Sequence, residues 1–267
     1  MSATVRVHVT GETLSVHIHG EGRPLLFVHG FPFDHAMWAR QVEALAQWRC
    51  IAPDLRGAGA SDAPDQAYSV GRYADDLVAV LDALDAPRAV CCAHSMGGYI
   101  LFELWRRHPE RISALILCCT KAEPDTPDGK RGRDELIALA RNQGVAPVVE
   151  RLLPKLLGAS TRATRPALVD EVRTAGLRQP LRGITGALTA LRDRPDSTDT
   201  IATIRVPTLV MGGAEDEIAP PAVMRAMAQR IAAARWVEVG GVGHVAPLEQ
   251  PDVVNQEIRQ FLAELTV

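Results

Sequence analysis

The stretch "VCCAHSMGG", residues 90–98, sets one serine, Ser95, between a run of small apolar residues and a pair of glycines. A chain that leaves a strand and enters a helix through a sharp turn needs small neighbours on both sides of the apex, because bulk there collides with the adjoining backbone. Ala93, Gly97 and Gly98 meet that need. The residues before the serine read as a buried strand over 89–94, and those after it as a helix over 96–107. A serine in this place is commonly a helix cap, and it becomes a nucleophile only if the rest of the chain supplies a base and an orienting acid.

The same alternation continues on either side. "LLFV" (25–28), "CIAPD" (50–54) and "ALILCC" (114–119) read as strands, and 35–46 as a helix. A further helix runs from Val70 to Leu84, with Leu77, Val80, Leu81 and Leu84 at helical spacing and Ser69 as its N-cap. Past "VPTLVMGG" come a strand over 207–211, a helix over 220–233, a strand over 235–239 and a helix over 251–265. Near-continuous apolar strands separated by helices imply a mainly parallel sheet covered on both faces. The N-terminus alternates instead: Val5, Val7 and Val9, then Leu14, Val16 and Ile18 beyond Gly11, predict an antiparallel hairpin. His8, His17 and His19 fall on its polar faces and read as exposed strand histidines rather than a metal site.

Between about Ala122 and Thr200 the strands stop. "DELIALARNQG", "VVERLLPKLLG", "PALVDEVRTAG" and "GITGALTALRD" predict about four short helices, with Pro154 interrupting the second. The fold class is therefore α/β: an eight-stranded, mainly parallel sheet with an N-terminal antiparallel hairpin, helices on both faces and an inserted all-helical cap. The core domain takes residues 1–121 and 201–267, and the cap domain takes 122–200.

Composition limits the function. Of 267 residues, 47% are hydrophobic and 23% charged, which leaves no room for a long disordered tail. No run reaches the length of a membrane span and the N-terminus lacks a signal-peptide pattern, so neither a membrane partner nor export is expected. The net charge of −3 hides an asymmetry, since residues 121–195 carry 14 Lys/Arg against 9 Asp/Glu. With no block of consecutive basic residues, this reads as a solvated helical face and not as a nucleic-acid site. Cys50, Cys91, Cys92, Cys118 and Cys119 lie in apolar strands, are odd in number and lack zinc-type spacing. They are expected as small core residues in a reducing cytoplasm, the adjacent pairs pointing to opposite faces of the sheet.

The partners of Ser95 lie downstream. "GAEDEIAP" (213–220) puts Asp216 in the loop that follows one strand, and "VGGVGHVAPLEQP" (239–251) puts His244 in the loop that follows the next. Both loops open at the same edge of a parallel sheet as Ser95, and Ser, Asp, His is the chain order this architecture uses. A serine hydroxyl needs such a base, and the base needs an acid to fix its tautomer. The oxyanion of acyl transfer needs donors already in place, and "FVHGFPFD" (27–34) offers one at a strand end beside Gly30. The backbone N–H groups of Phe31 and Met96 are expected to form that hole, with His29 shaping the loop.

Through "HGFP" (29–32), "PDLRGAGASD" (53–62), "AHSMGG" (93–98), "RHPERI" (107–112), "GAEDEIAP" and "GHVAPLEQP", nearly the whole chain resembles the α/β-hydrolase fold enzymes. The resemblance is to their cofactor-free carboxylesterase, lactonase and haloperoxidase-like group, although Ala93 stands where the G-x-S-x-G pattern has glycine. It implies hydrolysis of a small-molecule ester or lactone, acyl-homoserine lactones and enol-lactones among them, by Ser95, His244 and Asp216, with no metal or cofactor. Gly30, Trp38 and Val245 are expected against the substrate. Asp54, Arg56 and Asp62 are expected to be structural, and Glu123 or Asp125 is the alternative acid used by some relatives. The chain is expected as a monomer or small homo-oligomer. An acyltransferase or perhydrolase would use the same triad, whereas a non-catalytic receptor on this fold usually lacks a triad member.

Overall fold

The structure is a computed structural model that describes residues 2–65 and 68–265. The alternation of valines makes the hairpin: β1 (Ser2–Val9) pairs antiparallel with β2 (Glu12–His19), setting Val5 opposite Val16 and Val7 opposite Leu14. Six more strands follow: β3 (Pro24–Val28), β4 (Arg49–Pro53), β5 (Ala89–His94), β6 (Ile112–Cys118), β7 (Thr208–Gly213) and β8 (Ala234–Val239). The sheet order is β1-β2-β4-β3-β5-β6-β7-β8, with β2 antiparallel to β4 and parallel pairing from β4 to β8. The chain moves from β3 outward to β4 and then returns to β5 on the other side of β3. The ends of β3 and β5 thus form the switch point at which open α/β sheets bind their ligands, and Val28 pairs there with Ala93.

Side chains of the central strands divide between two cores because successive residues face opposite ways. Leu26, Val28, Cys91, Ala93 and Leu115 pack beneath α2 (Val70–Ala83) and α3 (Met96–Arg107). Leu25, Phe27, Cys92 and Ile116 pack on the other face, against residues of α1 (Ala39–Ala44) and the C-terminal helix (Pro251–Glu264). Cys91 and Cys92 separate as strand geometry requires. Cys118 and Cys119 do not: Cys119 lies past the end of β6 with φ 51° and joins the same core as Cys118. All five cysteines are buried and free.

Between β6 and β7 the chain forms α4 (Pro127–Gln143), α5 (Val145–Leu156), α6 (Ala159–Thr164), α7 (Pro166–Leu177) and α8 (Leu181–Asp193), one helix more than the sequence pattern predicts. Pro154 does not interrupt α5, because it falls in the last turn, where the lost N–H removes a single intrahelical bond. Leu136, Ile137, Val148, Ile184 and Leu188 give these helices a small core of their own, against which Phe31 packs. The excess of arginines here goes into ion pairs, among them Arg133–Asp125, Arg151–Glu135, Arg173–Glu150 and Arg192–Asp134. Two short helices, α9 (Thr198–Ile201) and α11 (Ala246–Glu249), flank the remaining strands, with α10 (Pro221–Arg230) between them and α12 (Pro251–Glu264) closing the chain. Among the described residues no helix is long and apolar enough to cross a membrane.

Candidate active site

Ser95 occupies the turn between β5 and α3 with φ 49° and ψ −112°, a conformation that costs a non-glycine residue about 1–3 kcal/mol. Packing on both sides holds it there. A Cβ on Gly97 would sit 2.4 Å from the Val28 carbonyl oxygen, and one on Gly98 would sit 2.3 Å from Thr120 Oγ1, so only glycine lets α3 start this close to β3 and β6. Thr120 in turn donates to the Ser95 carbonyl at 2.9 Å, and the Ser95 amide donates to Cys118 at 2.9 Å. Ala93 fits because it lies inside regular β5, before the turn, and its methyl joins the core.

His244 and Asp216 meet the serine from the loops after β8 and β7. The Ser95 hydroxyl donates to His244 Nε2 at 2.8 Å, and His244 Nδ1 donates to Asp216 Oδ2 at 2.8 Å. An ionised carboxylate accepts only, so it fixes the proton on Nδ1 and leaves Nε2 as the acceptor that a base must offer. Burial alone would raise the Asp216 carboxyl, but the adjacent imidazole and the amides of Ala219 and Ile218 outweigh it and hold the group below the usual carboxylate range. Both amides bond Asp216 Oδ1, at 2.9 and 2.8 Å, which turns Oδ2 toward the histidine.

Phe31 and Met96 line the same cleft, next to the ends of β3 and β5. Met96 opens α3, where a helix leaves its first amides without internal acceptors. Among the described residues no hydrogen bond uses the Phe31 or Met96 amide. His29 shapes this loop: its Nε2 accepts from the Leu55 amide at 2.9 Å and its Nδ1 donates to the Gly30 carbonyl at 3.0 Å, while burial lowers its pKa and keeps it neutral. The cleft is narrow, about 20 Å³, and is lined by Gly30, Phe31 and Met96 from the core and by Gln179, Ile184 and Ala187 from the inserted segment; Ser95, Asp216 and His244 are not among its lining residues. Trp38 and Val245 are not brought to it. Trp38 is fully buried on Phe27, and Val245 packs into the core cluster that contains Trp38.

The alternative acids are engaged elsewhere. Asp125 bonds Arg133 at 3.0 Å and Arg194 at 2.8 Å, and Glu123 is exposed. Asp54 accepts from the His35 and Ala60 amides, Arg56 makes a bidentate pair with Asp76, and Asp62 accepts from the Thr13 amide, so all three brace the loop after β4. Of the hairpin histidines, His8 is exposed as expected, but His17 and His19 are half-buried, with His17 stacked on His35. Among the described residues, two groups bring metal-capable atoms within 4.8 Å of one another, His94–Cys119–His244 and Asp34–His35–Asp54. Their chemistry does not suit an ion. Both nitrogens of His244 are used, burial keeps the Cys119 thiol protonated, and both oxygens of Asp54 accept hydrogen bonds.

One residue that the sequence pattern does not single out is His94, directly before Ser95. It is fully buried and its pKa is pushed down to about 3 by burial and by the neighbouring His244, so it is neutral. Its Nε2 donates to the His244 carbonyl at 2.7 Å.

The sequence matches the α/β hydrolase fold family over residues 23–251, and the chain belongs to that family. It is 33% identical to the AB hydrolase superfamily protein YisY of Bacillus subtilis, over 93% of this chain and 95% of that one. A thermophilic esterase from Thermogutta terrifontis, solved with malate bound, superposes with a TM-score of 0.95 at 36% identity, covering 99% of this chain and 100% of its own. The enol-lactonase from Burkholderia xenovorans superposes with a TM-score of 0.90 at 30% identity, covering 97% and 100%. Within its family the chain therefore stands among esterases and enol-lactonases.

Proposed function

We propose that the protein is a serine hydrolase of carboxylic esters or lactones, working through an acyl-enzyme on Ser95. The observation that carries this reading is the unbroken hydrogen-bond chain from Ser95 Oγ through His244 to Asp216. Ser95 Oγ attacks the carbonyl carbon as its proton passes to His244 Nε2, and the Phe31 and Met96 amides receive the oxyanion. Nε2 then gives the proton to the departing alcohol oxygen. Water attacks the acyl carbon with the same nitrogen as base, and the acid leaves as Ser95 regains its proton. Asp216 stays ionised throughout and stabilises the imidazolium. The chain's own groups and the attacking water supply every proton and every donor in this sequence, so no cofactor is called for.

Residues 122–200 act as the cap. The aliphatic side chains of Ile184 and Ala187, on the same cleft as Phe31 and Met96, suit a short or medium acyl group. Buried free cysteines suit a reducing compartment, and we place the protein in the cytoplasm as a monomer or small homo-oligomer acting on a small molecule, with no nucleic-acid or membrane partner. The deciding experiment is a panel of p-nitrophenyl esters of graded length beside enol-lactones and acyl-homoserine lactones, with a fluorophosphonate probe of Ser95. Turnover favouring short acyl groups and a single label on Ser95 are expected. A chain that neither turns over the panel nor takes the label is no serine hydrolase. Added hydrogen peroxide tells hydrolysis from acyl transfer to peroxide, which uses the same triad.

A further inference from the structure

Three consecutive backbone positions around the base are each tied to a different part of the molecule. The Gly243 amide donates to Glu249 Oε1 at 2.9 Å, the His244 carbonyl accepts from His94 Nε2 at 2.7 Å, and the Val245 amide donates to the Leu156 carbonyl at 3.2 Å. With the main chain fixed on three sides, the imidazole keeps only its own side-chain torsions, and those are set by Ser95 and Asp216.

Glu249 is the costly member of this frame. It is 1% exposed, and burial raises its carboxyl against the opposing pull of Thr161 and the Gly158, Gly243 and Val245 amides. A buried carboxylate is a poor choice where an apolar side chain would pack. What it does here is bridge two amides: Oε1 takes Gly243 and Oε2 takes Gly158 at 2.9 Å, the latter from the corner between α5 and α6. A second carboxylate grips the same corner. Glu215, the residue before Asp216, accepts from the Ser160 amide at 3.0 Å and from its hydroxyl at 2.5 Å. The corner is packed so closely that a Cβ on Gly158 would come within 2.9 Å of the Gly243 nitrogen. Residues flanking both the acid and the base therefore hold one turn of the inserted helices.

We propose that Glu249 is a positioning residue for His244: it pins the Gly243 amide so that the imidazole stays in line with Ser95, and it links that alignment to the seating of the corner at 156–160. Its kinetic consequence rests on the hydrolase reading, while its effect on the imidazole does not. The test is Glu249→Gln, which keeps the side-chain size but offers one acceptor oxygen and turns an NH₂ toward the second amide. The expected result is a fall in kcat of about 10- to 100-fold, because small misplacements of a base are costly, with KM for p-nitrophenyl acetate within about twofold. The low-field proton resonance of His244 Nδ1–H should shift or broaden. Glu249→Asp keeps the charge on a shorter arm and should restore part of the loss; it also serves as the variant if Glu249→Gln fails to fold. A variant whose kcat and resonance match the wild type while only its melting temperature drops would overturn the proposal and leave Glu249 a structural group. If the wild type neither turns over esters nor takes the Ser95 label, the hydrolase reading fails, and the resonance alone still decides whether Glu249 positions His244.

Discussion

Ser95 Oγ and His244 Nε2 stand 2.8 Å apart although 149 positions of sequence separate them. The two come from different parts of the sheet: Ser95 leaves central β5 at the switch point, and His244 follows β8 at the edge. The loop after β8 must therefore reach back across the ends of β7 and β6. It does so under the corner at 156–160 and against His94, and the alignment of the pair depends on how firmly that return is held.

Ser95→Ala and Ser95→Gly should both abolish ester turnover, since each removes the nucleophile. They should differ in stability. Alanine keeps the strain of φ 49° at the turn, whereas glycine relieves it, so the glycine variant should be the more stable by about 1 kcal/mol. Thermal melts of the two variants check this, and equal midpoints would show that the turn stores no strain.

Asp216→Asn should cost about 10³- to 10⁴-fold in kcat, because an amide facing Nδ1 favours the wrong imidazole tautomer. Asp125→Ala should do the reverse and spare kcat. Its carboxylate neutralises Arg133 and the almost fully buried Arg194, so its loss should lower stability by about 3 kcal/mol. Steady-state kinetics and denaturant melts on the pair distinguish the acid of the triad from the ion pair beside it.

Much of this site can be read from local pattern. The period-two valines announce β1 and β2, and the small residues around Ser95 announce a strand, turn and helix whose limits, Ala89–His94 and Met96–Arg107, agree with the expectation to the residue. The reading weakens where a residue's role depends on partners remote in sequence. Trp38 looks like a pocket aromatic, yet it packs on Phe27 under the sheet. His94 and Glu249 look like ordinary polar residues until their partners, 150 and 91 positions away, come into contact. Cys119 joins the core of Cys118 because the strand has already ended, which the strand period cannot register.

The pair of His35 and Asp54, 2.6 Å apart, should give stability a defined pH window. The hydrogen bond that His35 Nδ1 donates to Asp54 raises the His35 pKa against partial burial, with Asp34 adding to it and Arg178 opposing. A raised base contributes stability that is full below its unfolded value, 6.5, and is lost as pH climbs through the folded value. For Asp54, burial is outweighed by bonds from the His35 side chain and the Ala60 and His35 amides, so its carboxyl is lowered; its contribution is present above 3.8 and lost as pH falls through the folded value. The melting-temperature gap between wild type and His35→Ala should therefore be widest between these limits and narrow above them. His17 stacks on His35 and is itself lowered, by partial burial and then by His35. A gap that does not change from pH 5 to pH 9 would rule out an ionic contribution from His35.

Gly30→Ala tests the oxyanion loop without touching the triad. A Cβ at this position would lie 2.3 Å from His94 Nδ1 and 3.1 Å from the His94 carbonyl oxygen. His94 cannot give way easily, because its ring is buried and its Nε2 holds the His244 carbonyl. Relief must come from the loop, which carries the Phe31 amide away by roughly 1 Å, enough to cost about 100-fold in kcat where an oxyanion donor must meet its acceptor within hydrogen-bond range. The collision falls on the backbone of a short loop and not in either main core, so the variant should still fold, with its melting transition cooperative. Labelling of Ser95 by a fluorophosphonate should slow along with kcat, since that reagent also places an oxyanion in the hole. KM for a small ester should change little. If Gly30→Ala keeps full activity, the space beside His94 is not what sets the Phe31 amide, and the loop is anchored instead through His29 and Leu55.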